Sequence, residues 1–197
     1  MKRLFDIFFS SIGLLILSPL FVVVALLIKL DSKGPVFFRQ ERIGKYFKPF
    51  RIYKFRTMTV DTVEKGPLIT VRGDNRVTKI GKFLRKYKID ELPQLINVLK
   101  GEMSFVGPRP EIKEYVQLFK SDYKKLLKIR PGITDPASIK YSNEEGILSL
   151  SKNWEEDYTK RILPEKIKLS LHYVDNHNFI IDLKLILKTI LETSLAR

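Results

Sequence analysis

Asp90 and Glu91 stand side by side in the run Lys88-Ile89-Asp90-Glu91-Leu92-Pro93-Gln94-Leu95. Pro93 belongs within a first helical turn, so the spacing predicts both carboxylates at a helix N-terminus. Two kinds of work suit them there. Asp90 can cap the helix while Glu91 complements its dipole, a structural role only. A helix N-terminus beside cations also attracts phosphate, where one carboxylate can attack phosphorus while its neighbour holds a divalent metal. Arg109 has the surroundings such chemistry needs. In Ser104-Phe105-Val106-Gly107-Pro108-Arg109-Pro110-Glu111, two prolines force it extended and lower the entropy lost when it binds. A guanidinium held that way suits a bidentate phosphate contact, and its bland counterpart is a rigid turn between helices. Arg130 stands in a comparable setting, ahead of the Pro131-Gly132 turn in Ile129-Arg130-Pro131-Gly132-Ile133-Thr134.

Other chemistries are excluded. The chain has no cysteine, which removes disulfides, thiolate metal sites and a thiol nucleophile. His172 and His177 are five apart, missing the i, i+4 spacing of the common helical zinc motif. The net charge of +14 is concentrated between Arg39 and Lys88, where fifteen Lys or Arg face four acids. Such a field attracts nucleic acid, anionic lipid or phosphorylated small molecules. Phe47, Phe50, Tyr53 and Phe55 alternate with Lys48, Arg51, Lys54 and Arg56, a pattern that also suits stacking on single strands. The N-terminus decides against nucleic acid and for a membrane surface or core role.

Leu4 to Leu30 is apolar almost throughout. Roughly 27 residues at about 1.5 Å each reach about 40 Å, more than a bilayer core of about 30 Å. The stretch is too long for a signal peptide, and no small-residue cleavage site follows it. Ser18-Pro19 lies in its middle. Pro19 cannot donate to the Leu15 carbonyl, which predicts a kink or break, and the Ser18 hydroxyl can serve a freed backbone group. Each half would be about 20 Å, too short to span alone. Lys2 and Arg3 precede the stretch and Lys29 and Lys33 close it, so the positive-inside rule keeps both ends in the cytoplasm. A re-entrant hairpin meets all of this; an ordinary kinked spanning helix is the simpler alternative.

The remaining elements must position the carboxylates and arginines. Val36–Arg39 and Phe50–Phe55 read as short strands, and Thr59–Asn75 as a long loop or lid. Val77–Tyr87, Asp90–Leu99 with Gly101 as its stop, Glu111–Leu127, Asp157–Val174 and Ile180–Thr193 read as helices. The sum is an α+β fold, mostly helical, with one small sheet. The expected division is residues 1–31 as the membrane hairpin and 32–197 as a compact domain with membrane-surface amphipathic helices, the part that would carry catalysis.

Taken in order, Pro19 in an apolar N-terminal segment, Tyr53-Lys54-Phe55-Arg56-Thr57-Met58, Asp90 to Leu95, Gly107-Pro108-Arg109-Pro110 and Arg130 to Thr134 resemble the bacterial sugar transferases called monotopic phosphoglycosyl transferases. The likeness covers essentially the whole chain. It implies transfer of a sugar-1-phosphate from a UDP-sugar to undecaprenyl phosphate, with release of UMP. It further implies a covalent phosphosugar intermediate, Mg2+ dependence, and a monotopic protein facing the cytoplasm at the bacterial inner membrane. By motif, Asp90 matches the nucleophile and Glu91 its metal-binding or acid-base neighbour. Arg85, Arg109 and Arg130 match phosphate-binding positions, and Lys54 and Arg56 a basic pair; Ser18 and Pro19 match the hairpin break. The implied partners are the UDP-sugar, the prenyl phosphate and the phospholipid bilayer, not nucleic acid, with a homodimer and other glycan-pathway enzymes left open. Asp135-Pro136-Ala137-Ser138-Ile139 departs from the Gly-Trp-Ala-Gln run of many relatives.

Overall fold

The computed structural model describes residues 1–60 and 73–195. A 30-residue helix, α1 (Lys2–Asp31), opens the chain. It is long and apolar enough to cross a membrane by length and composition, its most apolar 18-residue stretch having a mean hydropathy of 2.8. Only 11% of its most apolar stretch is buried against the protein. No break divides it at Ser18-Pro19: the helix continues through Pro19. The Ser18 hydroxyl donates to Leu15 O at 2.8 Å, serving the carbonyl that the proline leaves without an amide donor. Two half-helices meeting at the proline are therefore not what the structure has.

One face of α1 packs along the rest of the molecule. Asp6, Ser10, Val24 and Ile28 are buried, while Leu4, Leu15, Ile16, Val22, Leu26 and Leu30 remain exposed. Gly13 permits the approach: a Cβ there would stand 3.2 Å from Leu95 Cδ1.

Strands β1 (Phe37–Ile43) and β2 (Pro49–Phe55) form an antiparallel pair with Phe38 opposite Lys54 and Arg42 opposite Phe50. They match the aromatic, branched runs of the sequence. Helix α2 (Lys79–Lys86) is capped by Thr78, whose Oγ1 accepts from Gly81 N at 3.0 Å. Gly81 lets this helix lie on the end of β2, since a Cβ would come 2.1 Å from Thr57 O. A 3-10 turn (Ile89–Glu91) follows, then α3 (Gln94–Lys100), which Gly101 ends with a left-handed φ of 84°.

Strand β3 (Ser104–Val106) pairs in parallel with β4 (Gly132–Thr134). The single sheet expected from sequence is thus two separate two-stranded sheets. Between them, the predicted Glu111–Leu127 helix divides into α4 (Lys113–Leu118) and α5 (Lys120–Leu126). The division falls at Phe119, which leaves helical geometry as its ring packs on the core. After β4 come α6 (Pro136–Lys140), α7 (Glu144–Leu148), α8 (Trp154–Asp157), a π turn (Tyr158–Ile162), α9 (Leu163–Asn176) and α10 (Phe179–Leu195). The main core gathers Ile112, Tyr115, Tyr123, Leu126, Leu163 and Ile167. Val24 and Ile28 of α1 form a second core with Phe55 and Leu84, so α1 belongs to the fold. The expected loop Thr59–Asn75 lies largely outside the described residues.

Candidate active site

Asp90 is delivered by a reversal between two helices. Lys88 adopts a left-handed conformation with φ 55°, and the chain turns at once into the 3-10 segment. Asp90 caps no helix there: Lys88 and Pro93 occupy the flanking positions of the 3-10 turn and α3, and neither end has a side-chain cap. The capping role weighed for Asp90 is therefore not the one it has here. The residue is 7% exposed, and its Oδ1 is buried without a hydrogen-bond partner. Orphaned acceptors of this kind are costly and uncommon in a folded protein.

Glu91 is the opposite case. Its Oε1 accepts from Lys54 Nζ at 2.6 Å and from Arg109 Nη2 at 2.7 Å, and Arg109 Nη1 lies 3.4 Å from Oε2. Lys54 comes from β2 and Arg109 from the segment after β3, so two strands bring two cations onto one carboxylate.

The neighbouring carboxyls are driven apart. Burial pushes the Asp90 carboxyl up to about 6, with the Glu91 charge adding to it and Lys54 opposing. Burial also works to raise Glu91, but the charges of Arg109 and Lys54 overcome it and hold that carboxyl well below the usual range. In return, Glu91 holds the Arg109 proton more tightly than usual. Burial lowers the Lys54 ammonium, against the pull of Glu91. At neutral pH Asp90 is therefore an ionised, comparatively basic carboxylate, whereas Glu91 is a fixed charge. Separation of this kind between adjacent titratable groups marks functional sites.

Arg85 stands on the same side. It contributes to the field on Asp90, its Nε donates to Thr57 Oγ1 at 2.9 Å and its Nη1 to Glu145 Oε1 at 2.9 Å. Arg56 and Arg130 are placed elsewhere. Arg56 Nη1 donates to Lys33 O and Nη2 to Ser32 O, both at 2.7 Å, and the residue is 4% exposed. It closes the C-terminal end of α1. Arg130 Nε donates to Gly101 O at 2.7 Å, at the C-terminal end of α3. Thus Lys54, Arg85, Asp90, Glu91 and Arg109 come together, and Arg56 and Arg130 bind backbone carbonyls. The Asp135 departure is a helix start: its carboxylate accepts from Ser138 N at 2.7 Å and Ser170 Oγ at 2.6 Å.

Sequence reasoning missed a buried ion network behind Arg109. Arg42 lies 3.5 Å from Glu111 Oε2, Tyr158 OH donates to Glu111 Oε1 at 3.1 Å, and Lys166 bonds Glu144 at 2.8 Å. Glu111 ends the Gly-Pro-Arg-Pro run, which signals it; nothing local marks Lys166, which arrives from α9.

No group of three or more metal-ligating side chains occurs among the described residues. Magnesium does not require one, because it takes one or two carboxylates and completes its shell with water and substrate phosphate. The unpartnered Asp90 Oδ1 is an atom of the right kind, with Glu91 beside it.

The bacterial sugar transferase family model matches residues 1–195. The chain belongs to the bacterial sugar transferase family. It is 39% identical over 194 residues to a UDP-N-acetylgalactosamine-undecaprenyl-phosphate N-acetylgalactosaminephosphotransferase from Aeromonas hydrophila, covering 96% of this chain and 42% of that protein. It is 40% identical over 193 residues to a UDP-glucose:undecaprenyl-phosphate glucose-1-phosphate transferase from Klebsiella pneumoniae, covering 96% and 39%. An exopolysaccharide production protein from Rhizobium leguminosarum bv. phaseoli is 40% identical over 197 residues, covering 96% of this chain and 93% of its own length. The chain spans about two fifths of the first two relatives.

Proposed function

We propose that this family member transfers a sugar-1-phosphate from a UDP-sugar to undecaprenyl phosphate at a membrane surface. The observation that carries the reading is the pair of adjacent carboxylates pushed in opposite directions, with the basic one buried and unpartnered. An ionised carboxylate that nothing in the protein neutralises by hydrogen bonding is suited to attack an electrophile. A carboxylate oxygen of Asp90 attacks the phosphorus joined to the sugar. The bond from that phosphorus to the bridging oxygen breaks, and UMP leaves with the electron pair. A phosphate oxygen of the prenyl acceptor then attacks the same phosphorus and displaces Asp90, giving prenyl diphosphate-sugar.

Lys54, Arg85 and Arg109 bind and orient the phosphates through charge and, for the arginines, paired donors. Glu91 keeps Lys54 and Arg109 facing Asp90 and stays ionised throughout. Magnesium, held by Asp90 and Glu91, would neutralise phosphate charge and stabilise the leaving phosphate. Arg56 and Arg130 act on the scaffold.

The membrane part rests on α1. Lys2 and Arg3 at one end bond Val106 O, Val98 O and Leu99 O, and at the other end Arg56 holds Ser32 O and Lys33 O. Both ends therefore rest on one domain, which favours a helix with its two ends on the cytoplasmic side over a spanning one. An acceptor phosphate at headgroup level then reaches Asp90 without its lipid leaving the bilayer. The test is incubation with magnesium and UDP-sugars without acceptor, followed by peptide mass spectrometry. Up to one UMP per site and a phosphosugar on Asp90 are expected; an adduct on another residue would end the proposal.

A further inference from the structure

Both ends of α1 are fastened to the strands that deliver the two cations on Glu91. Near its N-terminus, Asp6 is 2% exposed, and its Oδ1 accepts from Ser104 Oγ at 3.0 Å and from the Phe105 amide at 3.2 Å. Lys2 Nζ, one turn earlier, donates to Val106 O at 2.9 Å. Every residue of β3 is thus bonded to α1, and three residues beyond β3 comes Arg109. That passage has little slack. Gly107 N donates to Thr134 O and Gly132 N to Pro108 O, both at 3.0 Å. A Cβ on Gly107 would meet Arg130 O at 2.3 Å, and one on Gly132 would meet Gly107 N at 2.1 Å. At the other end, Arg56 grips Ser32 O and Lys33 O, and it lies two residues beyond Lys54 on the chain that leaves β2.

We propose that Asp6 and Arg56 are positioning residues, and that α1 is a tie setting where Arg109 and Lys54 stand about Glu91. The chemistry of α1 supports this. A helix that needed only to anchor the protein would gain nothing from a buried carboxylate, which is costly to desolvate and which an apolar side chain would replace without loss. Asp6 instead spends both its burial and its acceptor capacity on the backbone and side chain of β3. The same holds for Arg56, a guanidinium buried against the end of a helix whose outward face is apolar. Membrane seating of α1 and geometry at Glu91 are then one mechanical problem.

The activity arm of the test rests on the transferase reading, and a second arm does not. In a double-mutant cycle, Asp6→Ala should lower kcat/KM for UMP release at least tenfold in the wild-type background, mainly through kcat. In the Arg109→Lys background it should cost less than about threefold, because the fork it positions is already gone. Asp6→Asn, which keeps the acceptor, should recover most of the loss. Equal fold-losses in both backgrounds overturn the proposal, as does a loss confined to membrane retention. Independently of any activity, amide exchange of residues 104–109 should quicken in Asp6→Ala and stay near wild type in Asp6→Asn; unchanged exchange overturns it. Should Asp6→Ala not accumulate, Ser104→Ala removes one of the two Asp6 contacts and should give the same pattern at a few-fold size. If the wild-type protein releases no UMP from any UDP-sugar, the transferase reading fails while the exchange arm still decides the role of Asp6.

Discussion

Asp90 is held at a cost, and that cost is measurable. Its folded-state carboxyl titrates near 6 rather than near 4, so the folded protein binds this proton more tightly than the unfolded chain does. Its contribution to stability is therefore greatest below about pH 4, declines as pH rises to about 6, and stays reduced above that. Asp90→Asn is neutral throughout. It should be more stable than wild type by about 3 kcal/mol at pH 7.5, with the gain vanishing near pH 4, as read by denaturant unfolding in detergent. The same variant should lose turnover by several orders of magnitude; equal stability with full turnover would return Asp90 to a structural role. Release of UMP without acceptor should also rise with pH about tenfold per unit below 6 and level off above it. Omitting the acceptor matters, because a phosphate monoester titrates in the same range. A flat profile from pH 5 to 8 would show that the attacking group is not this carboxyl. The grouping of Asp90, Glu91 and Arg109 was legible in the sequence because adjacent residues mark each one: a doubled carboxylate before a proline, an arginine between two. Arg56 was not, since its neighbours in sequence are basic and aromatic, while its partners are carbonyls 23 and 24 residues away.

At the scale of elements, local signals served where the chain itself closes the structure and failed where packing does. Gly101 ends a helix because it lacks a Cβ, and the Thr78 hydroxyl begins one by capping it. The division between α4 and α5 has no such marker; burial of the Phe119 ring overrides helix propensity there. Ser18-Pro19 shows both behaviours. The hydroxyl repairs the carbonyl of Leu15, as the sequence suggests, yet the helix carries on past the proline. An uninterrupted helix leaves its topology to be settled by what its ends touch. Because Lys2, Arg3 and the residues after Asp31 bond the same domain, both ends should face one side of the bilayer. The chain has no cysteine, so single cysteines placed before Met1 and at Lys33 report cleanly. Neither should react with an impermeant maleimide on intact cells, and both should react in inverted vesicles. Labelling of either one from outside would refute the same-side arrangement.

The whole molecule presents two attractions to a membrane, and they differ in how salt treats them. The net charge of +14 draws it to anionic headgroups, an interaction that fades as the Debye length falls from about 10 Å at 0.1 M salt to about 3 Å at 1 M. The apolar face of α1 is indifferent to salt. Leu4, Phe8, Leu15, Ile16, Val22, Val23, Leu26 and Leu30 each leave more than half their surface exposed. At about 1.5–3 kcal/mol for each side chain taken fully out of water, partial insertion of this row contributes on the order of 10 kcal/mol. That exceeds what a handful of headgroup contacts supplies at about 1 kcal/mol per basic residue near the surface. The apolar term should therefore dominate, and the charge should serve chiefly to steer the protein to the bilayer. Washing native membranes with 1 M salt should leave the protein in the pellet, and only detergent should release it. Replacing Leu15, Ile16, Val22 and Val23 together with serine should shift it to the salt-wash supernatant, while the buried contacts of Val24 and Ile28 with Phe55 and Leu84 keep the domain folded. Release of the wild-type chain by salt alone would mean that the basic surface, rather than α1, holds it to the membrane.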